Sequence, residues 1–195
     1  TRVREVAAEF RRRHIPCDVL WLDIDYMDGF RCFTFNPTAF PDPAALAADL
    51  HAQGFHSVWM IDCGIKKDPG YSVYDSGTAG NHWVHDAAGQ PVVGSVWPGP
   101  CVFPDFTRAE TRAWWAGLYK DFLGKGVDGV WNDMNEPSVF DSPNKTLPLD
   151  ARHRADADLG GAGNHARYHN VYGMQMARAT RQGFLAAGRT EPFVL

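Results

Sequence analysis

Cysteine is scarce here: four residues in 195, with no Cys-x-x-Cys pair among them. A thiol metal centre or a redox pair of that type is therefore not expected, although Cys32 and Cys101 both fall in segments read as loops and could pair. Long apolar runs are also missing. No stretch approaches the ~18 residues that a membrane span needs, so no membrane span is expected. Positive charge is not in excess either: 19 Lys and Arg against 23 Asp and Glu leave a net charge of −4. That balance gives no footprint for nucleic acid or an anionic membrane. His82 and His85, and His165 and His169, have metal-compatible spacing but lack a Cys or acid at diagnostic distance, so neither a metal nor another cofactor is expected. Thr1 opens onto neither a charged n-region nor an apolar h-region, so a targeting segment is expected to be absent or removed, which leaves the compartment open.

What the chain does have is apolar and aromatic mass. Hydrophobic residues make up 45% and aromatics 13%, with seven Trp. That is ample for a sizeable core within one domain, and aromatic faces suit sugar rings as well as cores. Val3, Val6, Ala7 and Phe10 recur at helical spacing, ending in Arg11 to Arg13, which read as helix-end solvation rather than an anion patch. Val19 to Leu22 then form a continuous apolar run that stops at Asp23-Ile24-Asp25. Asp42-Pro43 start a helix whose stripe is Leu46, Ala47 and Leu50, with Gly54 as its stop. A second apolar run, Val58 to Ile61, again ends in an acid, Asp62. A Gly- and Pro-rich loop follows. Thr107 with Glu110 predicts a capping box for a helix that buries Trp115, Leu118 and Phe122. After Gly126 a third run, Val130-Trp131, leads to Asp133 and Glu136, and Pro137 stops regular structure. Roughly 25 residues then precede a helix with Tyr168, Tyr172, Met176 and Ala179, too long for a plain connector. Pro192 to Leu195 read as strand.

Four helices therefore alternate with four strands, which predicts crossover units and a parallel sheet. In such a sheet the acids Asp23, Asp62 and Asp133 share one edge. Convergent carboxylates there suit acid–base, nucleophilic or metal chemistry. Asp23-Ile24-Asp25 also fits the nucleophile motif of Mg-dependent phosphatases of the haloacid dehalogenase type. Met27 stands where those enzymes carry Thr or Val, and no downstream paired acids with a Lys are evident. A calcium loop fails because Asp23, Asp25 and Asp28-Gly29 are one residue out of EF-hand register.

Trp131-Asn132-Asp133-Met134-Asn135-Glu136-Pro137 closely resembles the nucleophile signature of glycoside hydrolase family 31, the α-glucosidase family. Trp21-Leu22-Asp23-Ile24-Asp25-Tyr26-Met27-Asp28, Val96-Trp97-Pro98-Gly99, Phe103-Pro104-Asp105-Phe106 and His169-Asn170-Val171-Tyr172-Gly173 are similar to further family motifs, in order. The wording is closest to a plant- or alga-like branch. The resemblance implies an α/β fold: residues 1–195 as part of a single (β/α)8 (TIM) barrel, without its first and last strands. Residues 63–106 and 134–163 would be long βα loops on the active-site face. It implies hydrolysis of terminal non-reducing α-linked glucose by retaining double displacement, on an α-glucoside or α-glucan substrate. Asp133 would be the nucleophile, with Glu136 supporting. Asp23 would bind hydroxyls in the −1 subsite, Met60, Trp97, Trp131 and Met134 would line the pocket, and Asp25 and Asp62 would support from behind. The acid/base Asp is expected after the next strand, in the remaining parts of the parent catalytic domain, so residues 1–195 alone are expected to be inactive. A catalytically incomplete carbohydrate-binding barrel piece is the alternative. Cys63 departs from the pattern, which favours Pro there, and puts the local loop geometry in question. Asn144-Lys145-Thr146 is a glycosylation acceptor if the protein is secreted.

Overall fold

A computed structural model describes residues 2–195. The backbone alternates α1 (Arg2–Arg12), β1 (Val19–Leu22), α2 (Pro43–Ala52) and β2 (His56–Asp62). It then enters a small antiparallel unit of β3 (Ile65–Lys66), α3 (Ser72–Ala79), β4 (Val93–Val96) and β5 (Gly99–Val102). Alternation resumes with α4 (Ala109–Leu123), β6 (Gly129–Asp133), a ribbon of β7 (Arg152–His153) and β8 (Gly163–Asn164), then α5 (His165–Ala186) and β9 (Phe193–Val194). β1, β2, β6 and β9 lie side by side in that order, every pair parallel. The result is the parallel α/β arrangement of a partial (β/α)8 barrel. Among the described residues, no helix is long and apolar enough to cross a membrane.

Local chemistry sets the main elements. Asp42 accepts from Ala45 N at 2.9 Å and Pro43 occupies the first turn of α2, a cap that stabilises a helix by about 1 kcal/mol. Leu46, Ala47 and Leu50 are buried, as their spacing requires. Paired residues on neighbouring strands share a face. The face with Trp59 and Ile61 packs on the helices, where Trp59 meets Tyr26 edge-on at 4.8 Å and Phe122 at 6.5 Å. Burying each such ring contributes roughly 2–3 kcal/mol. The opposite face carries Trp21, Met60, Asp62, Trp131, Asp133 and Phe193, because Trp21 pairs with Val58, Met60 with Trp131, Asp62 with Asp133 and Gly129 with Phe193. Trp21 and Phe193 stay 46% and 49% exposed while stacking edge-on at 5.9 Å. In a closed barrel this is the interior face, filled by layered side chains.

Two local expectations are corrected, and one open pairing is resolved. A fifth helix, α3, lies within the segment read as loop. Its central Gly77 weakens the helical signal, yet a Cβ there would sit 2.3 Å from Trp83, so close packing requires the glycine. The capping box also does not form. α4 begins at Ala109 with Arg108 as an N-cap that makes no side-chain cap bond. Thr107 instead donates to Asp105 at 2.5 Å, Glu110 pairs with Arg108, and the Ala109 N–H is taken by Asp156 at 2.5 Å. Cys32 and Cys101 are not joined: all four cysteines are free. As for the Arg run, Arg12 and Arg13 pair with Glu9, whereas Arg11 lies 3.6 Å over Phe55 and donates to the Gln53, Cys17 and Gly54 carbonyls.

Candidate active site

Because β1, β2 and β6 run parallel, their carboxyl ends bring Asp23, Asp62 and Asp133 to one edge of the sheet. Asp62 and Asp133 are direct register partners. Asp23 follows β1 by one residue and is exposed; its carboxylate accepts from Ile24 N at 2.7 Å and caps the short turn Ile24–Tyr26. The Tyr26 hydroxyl donates to Met60 O at 2.5 Å and ties that turn to β2. Asp25 is exposed within the turn.

The two paired acids differ sharply in surroundings. Asp62 is 3% exposed, whereas Asp133 is half-buried. Oδ1 of Asp62 accepts from Gly64 N at 2.8 Å, and Oδ2 is buried with no protein partner among the described residues. Burial pushes the Asp62 carboxyl up to about 7, opposed by the Gly64 hydrogen bond and reinforced by the charge of Asp133. Around it the Cys32 and Cys63 thiols are raised chiefly by their own burial, and Cys32 Sγ donates to Asp62 O at 3.3 Å. A protonated Asp62 adds no second negative charge beside Asp133.

The turn after Asp133 is tightly held. Met134 has φ +57, a left-handed conformation unusual for a side-chain-bearing residue and typical of strained functional turns. Its carbonyl accepts from Cys63 Sγ at 3.1 Å and from Ser138 N at 2.9 Å. The Cys in place of the expected Pro thus links the loops after β2 and β6. Gly173 of α5 presses on the same turn, since a Cβ there would stand 2.8 Å from Asn135 O. Glu136 is exposed and accepts from Ser138 Oγ at 2.9 Å.

Segments 63–106 and 134–163, which follow β2 and β6, contact each other. Ser95 donates through both N and Oγ to Asp141, at 2.8 and 2.9 Å, and Phe140 N donates to Ser95 O at 2.8 Å. Trp97, at the β4–β5 turn, is 49% exposed and stacks edge-on with Phe140 at 5.1 Å. Trp131 packs edge-on against Trp21 at 6.3 Å, and its register partner Met60 is buried at 1% exposure.

A buried hydrogen-bonded chain, whose link His153 was not marked by the sequence, orders these segments. Asp105 Oδ1 meets His153 Nδ1 at 2.9 Å, His153 Nε2 meets His165 Nδ1 at 3.0 Å, and His165 Nε2 meets Thr146 Oγ1 at 3.1 Å. All four residues are buried. Burial alone would raise the Asp105 carboxyl, but hydrogen bonds from His153, Thr107 and Arg154 N hold it low. Burial depresses His165 to about 3, helped by His153 and His169. This chain anchors the segment after the Asp133 turn to the start of α4 and α5. It also engages His165, while His82 stacks on Trp114 at 4.8 Å and bonds Thr111. A cavity of about 520 Å³ opens at the other end of the strands, lined by Val19, His56, Val58, Asp128 and Phe193 among others. It lies away from the acids, on the interior face of the sheet, and plays no part in the chemistry argued for them.

Comparison with known proteins agrees with this geometry. The family described as "Glycosyl hydrolases family 31 TIM-barrel domain" matches residues 1–195. Alpha-glucosidase 2 of Bacillus thermoamyloliquefaciens is 42% identical over 99% of this chain and 24% of its own length. A probable glucan 1,3-alpha-glucosidase of Oryza sativa subsp. japonica is 39% identical over 99% of this chain and 21% of its own. The crystal structure of a Family 31 alpha-glucosidase from Bacteroides thetaiotaomicron superposes with a TM-score of 0.83 at 53% identity, over 100% of this chain and 30% of that one. The chain thus spans about a quarter of the length of these curated relatives. On the family match across every residue and the ordered acids at one barrel edge, the chain belongs to glycoside hydrolase family 31, as part of its TIM-barrel domain.

Proposed function

We propose that this chain supplies the nucleophile and part of the −1 subsite of a retaining α-glucosidase. The observation that carries the reading is the placement of Asp133 at the carboxyl end of β6, in register with buried Asp62 and on the edge shared with Asp23. Cleaving an acetal passes through an oxocarbenium-like transition state, which a carboxylate stabilises and then traps as a glycosyl ester. Asp133 forms the bond from its carboxylate oxygen to the anomeric carbon as the glycosidic bond breaks. Exposed Asp23 accepts hydrogen bonds from hydroxyls of the terminal glucose, and Trp97 and Trp131 offer apolar surface to the ring. Met134 and Glu136 hold the turn that aims Asp133, while Asp62 and Asp25 support from behind.

A retaining reaction also needs a protonated carboxyl about 5–5.5 Å from the nucleophile. The remainder of the parent domain supplies that donor and closes the barrel, which accords with the quarter-length coverage of the alpha-glucosidase relatives. General acid help is worth roughly 10²–10⁴-fold, so residues 1–195 by themselves do not turn over. The reading is tested by following maltose hydrolysis by the full-length protein with NMR. The first-released glucose is expected to be the α-anomer. Initial release of the β-anomer would overturn the retaining mechanism.

A further inference from the structure

At the amino-terminal end of the strands, opposite the acids, two imidazoles converge on one carboxylate. Asp128 immediately precedes β6, His56 opens β2, and His51 lies in the last turn of α2. His51 Nε2 is 2.8 Å from Asp128 Oδ2, and His56 Nδ1 is 3.5 Å from Asp128 Oδ1. One ligand atom from each of the three residues lies within 4.8 Å of the others.

The backbone builds this convergence. Ser57 N donates to Asp128 Oδ2 at 2.8 Å and fixes the carboxylate from behind, as outer partners of metal ligands do. Gly126, at φ +88, lets the lead-in to β6 press on α2: a Cβ there would stand 2.8 Å from Ala47 Cβ and 3.9 Å from His51 Cε1. A plain ion pair accounts for His51 and Asp128. It does not account for a second imidazole turned to the other oxygen of the same carboxylate.

We propose that His51, His56 and Asp128 form a binding site for a borderline divalent transition-metal ion, Zn²⁺ foremost, which clips α2 and β2 to the entry of β6. Two imidazoles and a carboxylate are the donor set such ions select over magnesium or calcium, which favour all-oxygen sites. Ligand bonds of about 2.0–2.2 Å in a tetrahedral site place donor atoms a little over 3 Å apart. The exposed His51 and His56 rings reach that spacing by small side-chain rotations. The fourth position faces the cavity that His56, Asp128 and Glu191 line together, open to water or to the Glu191 carboxylate. The site lies at the opposite end of β6 from Asp133, so its role is structural: it ties α2 and β2 to the entry of β6.

The test uses the full-length protein, stripped with EDTA and titrated with Zn²⁺ by calorimetry at pH 7.5, beside His51→Gln and the double variant His51→Gln/His56→Gln. Wild type is expected to bind one more equivalent than the double variant, with His51→Gln about tenfold weaker or more at that site. Co²⁺ should give the visible absorption of a low-coordinate nitrogen–oxygen site in wild type only. Maltose hydrolysis by all three proteins confirms folding, since these residues lie outside the catalytic edge. Should the double variant fail to fold, the Co²⁺ spectrum of His51→Gln decides alone, and a spectrum unchanged from wild type refutes the site. Equal stoichiometry in wild type and double variant, an adventitious surface ion included, also overturns the proposal.

Discussion

Asp133→Asn in the full-length protein is expected to lower kcat for α-glucoside hydrolysis by about 10⁴-fold or more, the scale on which enzymes lose a covalent nucleophile. The amide cannot carry the anion that forms the glycosyl ester. Folding should be intact, because Asp133 is half-buried at a strand end and the turn beyond it is held by other groups. Those are the Cys63 and Ser138 bonds to Met134 O and the close contact of Gly173 with Asn135. Substrate should still bind, since Asp23 and the tryptophans are untouched. A thermal transition within a few degrees of wild type, paired with lost turnover, would separate chemistry from folding. Retention of more than about a tenth of the activity would remove Asp133 from the nucleophile role.

Asp62→Asn is expected to abolish a loss of stability with rising pH. The Asp62 carboxyl is raised from 3.8 to about 7, mainly by burial. Below about pH 4 the folded and unfolded states are both protonated there, and the group is neutral in the balance. Between about pH 4 and 7 the unfolded chain has ionised while the folded protein keeps the proton. The folded state then binds more protons, so stability falls as pH rises, and the loss is complete above about 7. Across that window it amounts to about 4 kcal/mol. Asparagine has no such ionisation. In urea unfolding, the difference between variant and wild type should therefore move by about 4 kcal/mol in favour of Asn from pH 4 to pH 8. Parallel stability curves would show that Asp62 ionises in the folded protein as readily as in water.

Asp23, Asp62 and Asp133 were legible because each stands at the end of a short apolar run. Val19 to Leu22, Val58 to Ile61 and Val130-Trp131 lie in neighbouring parallel strands, and a parallel sheet admits only one edge for their carboxyl ends. α2 was legible for a different reason, since its start signal, Asp42 with Pro43, is local. The antiparallel unit between β2 and α4 was not. β3 has two residues, β5 contains Gly99 and Pro100, and α3 carries Gly77, so none shows the periodicity from which elements are read. They exist through packing on Trp83 and through contacts distant in sequence, with Val139 and in the Ser95–Asp141 pair. The capping of α4 repeats that lesson: Thr107 and Glu110 have the right spacing, but Asp105 and Arg108 take their side chains and Asp156 supplies the cap. His51, His56 and Asp128 likewise show no pattern along the chain, because only the parallel register brings them together.

Covalent attachment of the sugar to Asp133 is the step on which the proposed function turns. It is tested most directly by trapping: the full-length protein is treated with a mechanism-based fluoroglucoside or epoxide, digested, and its modified peptide sequenced by mass spectrometry. The label is expected on Asp133 within Trp131-Asn132-Asp133-Met134. Label on Glu136, three residues on, would contradict the account and transfer the nucleophile role to that exposed carboxylate.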